Sequence, residues 1–193
     1  MAIESIEIDP ADAFARRTAA YGYFFDAQLG LFDREARRAL ELAPYNAEIF
    51  AQLGMAYTFS GQWDYGVALA QKGYSLNQIS AGGWYQSAMH YYQYRNGDYQ
   101  AALAMAREHP VQELTETCFK YIACYGQLGE LDKARSYFQT CLAQEPNFSA
   151  EFVRDVLRLW NFPEAFIAQY MEGFAKAGYP LSDRSCGINA SSS

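Results

Sequence analysis

Phe50-Ala51-Gln52-Leu53-Gly54-Met55-Ala56-Tyr57 is the stretch that decides the fold of this 193-residue chain. A large aromatic, then Leu-Gly, then Tyr puts Phe50, Leu53, Gly54 and Tyr57 at i, i+3, i+4 and i+7, one stripe of an α-helix. Glycine inside a helix costs about 1 kcal/mol relative to alanine, so Gly54 calls for a packing reason. Outward from it, Tyr23, Tyr57, Tyr91 and Tyr125 lie 34 residues apart. Phe50 and Trp84 share that spacing, each seven residues before its tyrosine, and Pro44 and Pro146 are three periods apart. An internal period of this length signals stacked helix pairs, each hiding an apolar face that it cannot bury alone.

The second helix of a unit is legible in Ala134-x-x-x-Phe138 followed by Pro146. Gly61, Gly97 and Gly129 fall where a first helix must stop, and glycine accepts the left-handed conformation that ends it. Gly54 and Ala88 fall where the two helices of a pair come closest. These residues resemble the tetratricopeptide (TPR) family over 136 of the 193 residues. The resemblance implies an all-α chain, a right-handed α-α superhelix of about four TPR-like helix pairs plus C-terminal capping helices.

The predicted organisation is a lead-in over 1–12, then repeats over 13–46, 47–80, 81–114 and 115–148. Capping helices over 149–180 and a frayed tail over 181–193 follow. About ten helices are expected: 10–28, 32–43, 47–60, 63–76, 81–95, 98–108, 111–127, 130–144, 148–160 and 163–177. Asp9-Pro10 and Asn161-Phe162-Pro163-Glu164 read as helix starts, and Asn46 as a cap. Several positions depart from the pattern. Gly66 and Gln78 replace the usual Ala and Pro; Ser87-Ala88 stands for Leu-Gly; the Asn96-Gly97 turn comes two residues late; and Pro110 shortens the helix before it. Cys118 and Arg16 occupy aromatic slots, and the first repeat has no clear glycine turn.

Composition bounds the function. The chain is 51% hydrophobic and 19% charged, in the globular range, and 17% aromatic with 16 Tyr. A net charge of -7 gives no general field for nucleic acid or an anionic membrane, so neither partner is expected. The acidic start MAIESIEIDP does not read as a signal peptide, and no apolar run approaches a membrane span. Cys118, Cys124, Cys141 and Cys186 form no C-x-x-C pair, so buried thiols in a reducing, cytoplasmic setting are expected, with no metal.

Catalytic signals are weak. His90 sits among tyrosines in a predicted helix, and His109 precedes Pro110 at a helix end. Neither has a positioned nucleophile beside it in sequence, and no phosphate-binding glycine motif is present. The expectation is no enzyme and no cofactor. A buried polar pocket holding a perturbed titratable group would revive an enzymatic reading.

The resemblance implies an inner groove lined by defined slots of each first helix. These are Arg17, Tyr21, Phe24 and Phe25; Ala51, Met55, Thr58 and Phe59; Tyr85, Met89, Tyr92 and Gln93; and Phe119, Ala123, Gly126 and Gln127. Such an aromatic- and Met-rich groove suits an apolar or amphipathic peptide. TPRs that clamp acidic C-terminal tails use several basic residues there, whereas this chain offers Arg17, with Lys120 nearby. Phe166, Ile167, Tyr170, Met171 and Phe174 form a stripe on the last helix. It fits the open end of the stack, or else a partner or a second copy. The order of features from Ala39 to Pro180 is also similar to the C-terminal TPR regions of bacterial class III adenylate cyclases and winged-helix regulators. That resemblance implies an alternative role as the sensing module of a signalling protein.

Overall fold

The structure is a computed structural model and describes residues 2–78, 83–108 and 114–181. His109, Pro110, Cys186 and nearly all of the expected tail lie outside the described residues. The described chain is helical throughout: α1 (Ala2–Ile8), α2 (Ala13–Phe25), α3 (Leu29–Leu42), α4 (Ala47–Phe59) and α5 (Trp63–Leu76) come first. A short 3₁₀ turn (Gly83–Gln86) leads into α6 (Ser87–Arg95), α7 (Tyr99–Glu108), α8 (Leu114–Leu128), α9 (Leu131–Gln144), α10 (Ala150–Leu159) and α11 (Glu164–Lys176).

Helices α2 to α9 pack as successive antiparallel pairs, α2 with α3, α4 with α5, α6 with α7 and α8 with α9. The closeness of a pair follows from its small residues. A Cβ on Gly54 would stand 2.7 Å from the Gly66 carbonyl and 2.5 Å from the Ala70 nitrogen, so only hydrogen fits. Asn46 caps α4 by accepting from the Ile49 N–H at 3.0 Å. The predicted lead-in is helix α1, and the cap of the next helix is Asp12 rather than Asp9, its Oδ1 accepting from Phe14 and Ala15.

The first repeat stops its helix in the same way as the others, with a different residue. Ala27 has φ +56°, and it stands 34 positions before Gly61, whose φ is +86°. A Cβ in that region is strained, so Ala27→Gly should stabilise the fold by about 1 kcal/mol. Thermal unfolding of the variant, expected to rise by about 2–4 °C, checks this.

In the third repeat the sequence register fails. His90, not Ala88, occupies the close-approach slot: its Nδ1 lies 2.9 Å from the Ala102 carbonyl, as Gly54 faces the Gly66 carbonyl one unit earlier. The unit runs two residues late, which the late Gly97 turn signalled. Tyr91 is therefore not the counterpart of Tyr57. The Tyr57 ring packs on Phe32 of the preceding pair, while the Tyr91 ring packs on Phe162 and Phe166 of the C-terminal segment.

The cysteines also depart from expectation. Cys118 and Cys141 are joined by a disulfide that ties α8 to α9, and only Cys124 is a free, buried thiol among the described residues. The aromatic slot of the fourth repeat is thus filled by a covalent link between the two helices.

Candidate partner-binding face

The C-terminal segment runs back against all four helix pairs. Helix α11 lies along α8, and its approach depends on two glycines. A Cβ on Gly126 would stand 1.8 Å from the Gly173 carbonyl oxygen, and one on Gly173 would stand 2.6 Å from the Ala123 carbonyl. Gln127 fixes the register, donating to the Gln169 carbonyl at 3.2 Å and accepting from the Lys176 ammonium at 2.8 Å. Ahead of α11, Trp160 stacks on Phe59 at 5.2 Å, and Phe162 lies 4.6 Å from the same ring. Phe166 meets Trp63 at 5.1 Å, and Tyr170 meets Tyr94 at 4.5 Å. Asn161 then reaches the first repeat, donating to the Phe24 carbonyl at 2.6 Å. Asn161 has φ +58° and does not cap the last helix; Pro163 stands at that position with no side-chain bond.

The predicted groove residues divide accordingly. Phe24, Phe59, Phe119, Ala123, Gly126 and Gln127 meet the segment from Trp160 to Lys176. Because of the register shift, the third repeat meets it through Tyr91 and Tyr94 instead of Tyr85, Met89, Tyr92 and Gln93. Tyr85 is buried beside Trp84, Met89 accepts from the Gln71 amide, and Tyr92 donates to Asp64 at 2.9 Å. The two-residue lag of Gly97 was the signal that could have found Tyr91 and Tyr94. The stripe Phe166, Ile167, Tyr170, Met171 and Phe174 is buried within its own chain, so a second copy would have to use another surface.

What stays open is the N-terminal part of the face. Phe14, Arg17, Tyr21 and Phe25 recur at i, i+3, i+7 and i+11 on one side of α2. Phe14 and Phe25 are 50% and 47% exposed, while Arg17 and Tyr21 are half-buried. The Tyr21 hydroxyl donates to the Gln52 carbonyl at 2.8 Å, tying α2 to α4, where Met55 is half-buried. Burial raises the Tyr21 pKa well above the usual phenol range, with Arg17 opposing, so the hydroxyl stays protonated.

A buried polar cluster deserves the enzymatic question. The Lys120 ammonium lies 2.6 Å from Glu116 Oε1 and 2.9 Å from Ser87 Oγ, and its side chain is 3% exposed. Burial lowers the Lys120 pKa, and Glu116 opposes that shift. The Ser87 hydroxyl also donates to Glu116 Oε1, at 3.2 Å. The hydroxyl of Tyr170 and the Nε2 of His90 are buried nearby and without hydrogen-bond partners among the described residues, and the Tyr91 hydroxyl faces Glu116. The cluster acts as a polar seam between α6 and α8. No group of three or more potential metal ligands occurs among the described residues, and no described helix is long and apolar enough to cross a membrane.

Burial, and secondarily the Lys120 charge, push the His90 pKa down to about 3. The folded state therefore keeps this ring neutral where an unfolded chain protonates it below about pH 6.5. The unfolded state binds the extra proton, so this contribution to stability is intact above that pH and is lost as pH falls toward 3. The His90 ring resonances should stay fixed between about pH 5 and 8 by NMR, and His90→Gln should flatten the acid side of the stability profile.

Paired helices in series define an α-helical repeat protein of the TPR-like kind. Among solved structures the chain is similar to PilW, described as a widely conserved type IV pilus biogenesis factor. The TM-score is 0.68 at 15% identity, covering 91% of this chain and 79% of that one. Similarity at this level concerns the fold. No protein-family model and no curated protein matches the chain.

Proposed function

We propose that this chain is a protein-interaction scaffold that holds a partner on the open part of its inner face, over the first two repeats. The observation that carries this reading is the manner in which the rest of that face is filled. Phe162 and, on α11 after it, Phe166, Tyr170 and Phe174 are seated there in cis among Phe59, Trp63, Tyr91, Tyr94 and Phe119. A face that accepts its own amphipathic helix by aromatic contact has the chemistry to accept another. Phe14 and Phe25 extend it with exposed aromatics that the fold does not need for its core.

The proposed working place is an oxidising compartment rather than the cytoplasm, because both sulfurs of the Cys118–Cys141 bridge are buried in the helix interface. This weighs against the alternative role as a regulatory module of a bacterial cyclase or transcriptional regulator, which works in a reducing cytosol. No catalytic role is proposed.

The test is capture of native partners by the wild type and by Phe14→Ser combined with Phe25→Ser. Both side chains are half exposed, so circular dichroism and melting should be unchanged while capture is lost. Equal capture by the double variant would reject this face as the binding surface.

A further inference from the structure

We infer that the open section of the inner face takes a partner helix carrying a carboxylate side chain within an apolar stripe, with Arg17 as the group that reads the carboxylate. This rests on the scaffold reading above and adds the partner's chemistry.

Two observations carry it. Arg17 makes no ion pair and donates no hydrogen bond among the described residues, whereas Arg16, Arg34, Arg37, Arg38 and Arg158 all pair with carboxylates. The side chain is only half-buried, so its guanidinium can take from a partner the carboxylate that those other arginines find within the chain. Second, the guanidinium lies 5.9 Å from the centre of the Phe14 ring, and Tyr21 and Phe25 continue the same side of α2. The cation is thus set inside an aromatic strip, where a hydrogen-bonded ion pair gains from exclusion of water. One cation, rather than several converging ones, suits a single Asp or Glu between apolar side chains and not a cluster of acids.

The partner is unidentified, so the probe is a phage-displayed library of amphipathic helices of about 18 residues, panned against the full oxidised chain. Selected peptides are then titrated by fluorescence anisotropy against the wild type, Arg17→Met, Phe25→Ser and, as a control, the exposed Arg135→Met. The expected peptides carry Asp or Glu one turn from an aromatic or aliphatic residue. Their affinity falls about tenfold on Arg17→Met, and equally when the peptide acid becomes its amide, without further loss when both are changed. Arg135→Met changes nothing. Peptides that need Phe25 but bind Arg17→Met as tightly, with no acid preference, overturn this inference and leave the scaffold reading standing. If no selected peptide responds to Phe25→Ser, both fail.

Discussion

Phe166→Ala should cost about 3–5 kcal/mol of stability, measured by denaturant unfolding, even though the residue lies far beyond the repeats in sequence. The ring is 4% exposed and sits among Trp63, Tyr94, Phe162 and Tyr170, at centroid distances of 5.1, 6.1, 4.8 and 5.6 Å. Removing it leaves a cavity bounded by the second repeat, the third repeat and α11, elements that cannot all close on it at once. The same reasoning predicts that removing residues 161–193 exposes Phe59, Trp63, Tyr91, Tyr94 and Phe119 and causes aggregation. A soluble truncation with unchanged melting would show that these rings are covered in another way. A partner that displaced α11 would have to meet the loss of several buried aromatics, each contributing about 1.5–3 kcal/mol. The filled part of the face is therefore core, and the open part is the proposed docking site.

The second large effect concerns the bridge. Replacing Cys118 and Cys141 together by serine, or reducing them before refolding, should lower stability by about 3 kcal/mol, because the link closes a loop of 23 residues in the unfolded chain. The melting temperature should fall by about 6–12 °C. With both sulfurs buried, reductant added to the folded protein should act only at the rate of unfolding. Rapid reduction under native conditions, or a serine pair as stable as the wild type, would contradict the structural role of this bond and remove the argument for an oxidising compartment.

What was legible in the sequence was local. Gly54, Asn46 and Gly61 each act within a turn or a pair of helices, and each does in the structure what its residue type demands. Ala27 was not legible, because the packing of α2 on α3 imposes a backbone conformation that alanine does not advertise. The third repeat misled because tyrosine recurs at 34 residues while the helix pair is displaced by two. The spacing of Tyr91 is thus a coincidence of residue type, and Gly97 and His90 mark the true position. The seat of α11 was invisible for a different reason. Periodicity shows that Phe166, Tyr170 and Phe174 share a stripe, but the choice of surface depends on Gly126 and Gly173 meeting across 47 residues, which no local pattern encodes. The disulfide pairing likewise needed the fold, since Cys118 and Cys141 follow no spacing motif.

The Phe166, truncation and docking expectations depend on the C-terminal segment lying against the repeats. Isotope-edited NMR of the oxidised full chain tests it most directly, through nuclear Overhauser contacts from the Phe162 and Phe166 rings. The predicted result is contacts to the Phe59 ring from Phe162, at 4.6 Å, and to the Trp63 indole from Phe166, at 5.1 Å. Rings of Phe162 and Phe166 that show contacts only within α10 and α11, with the Trp63 indole open to a paramagnetic solvent probe, would contradict it.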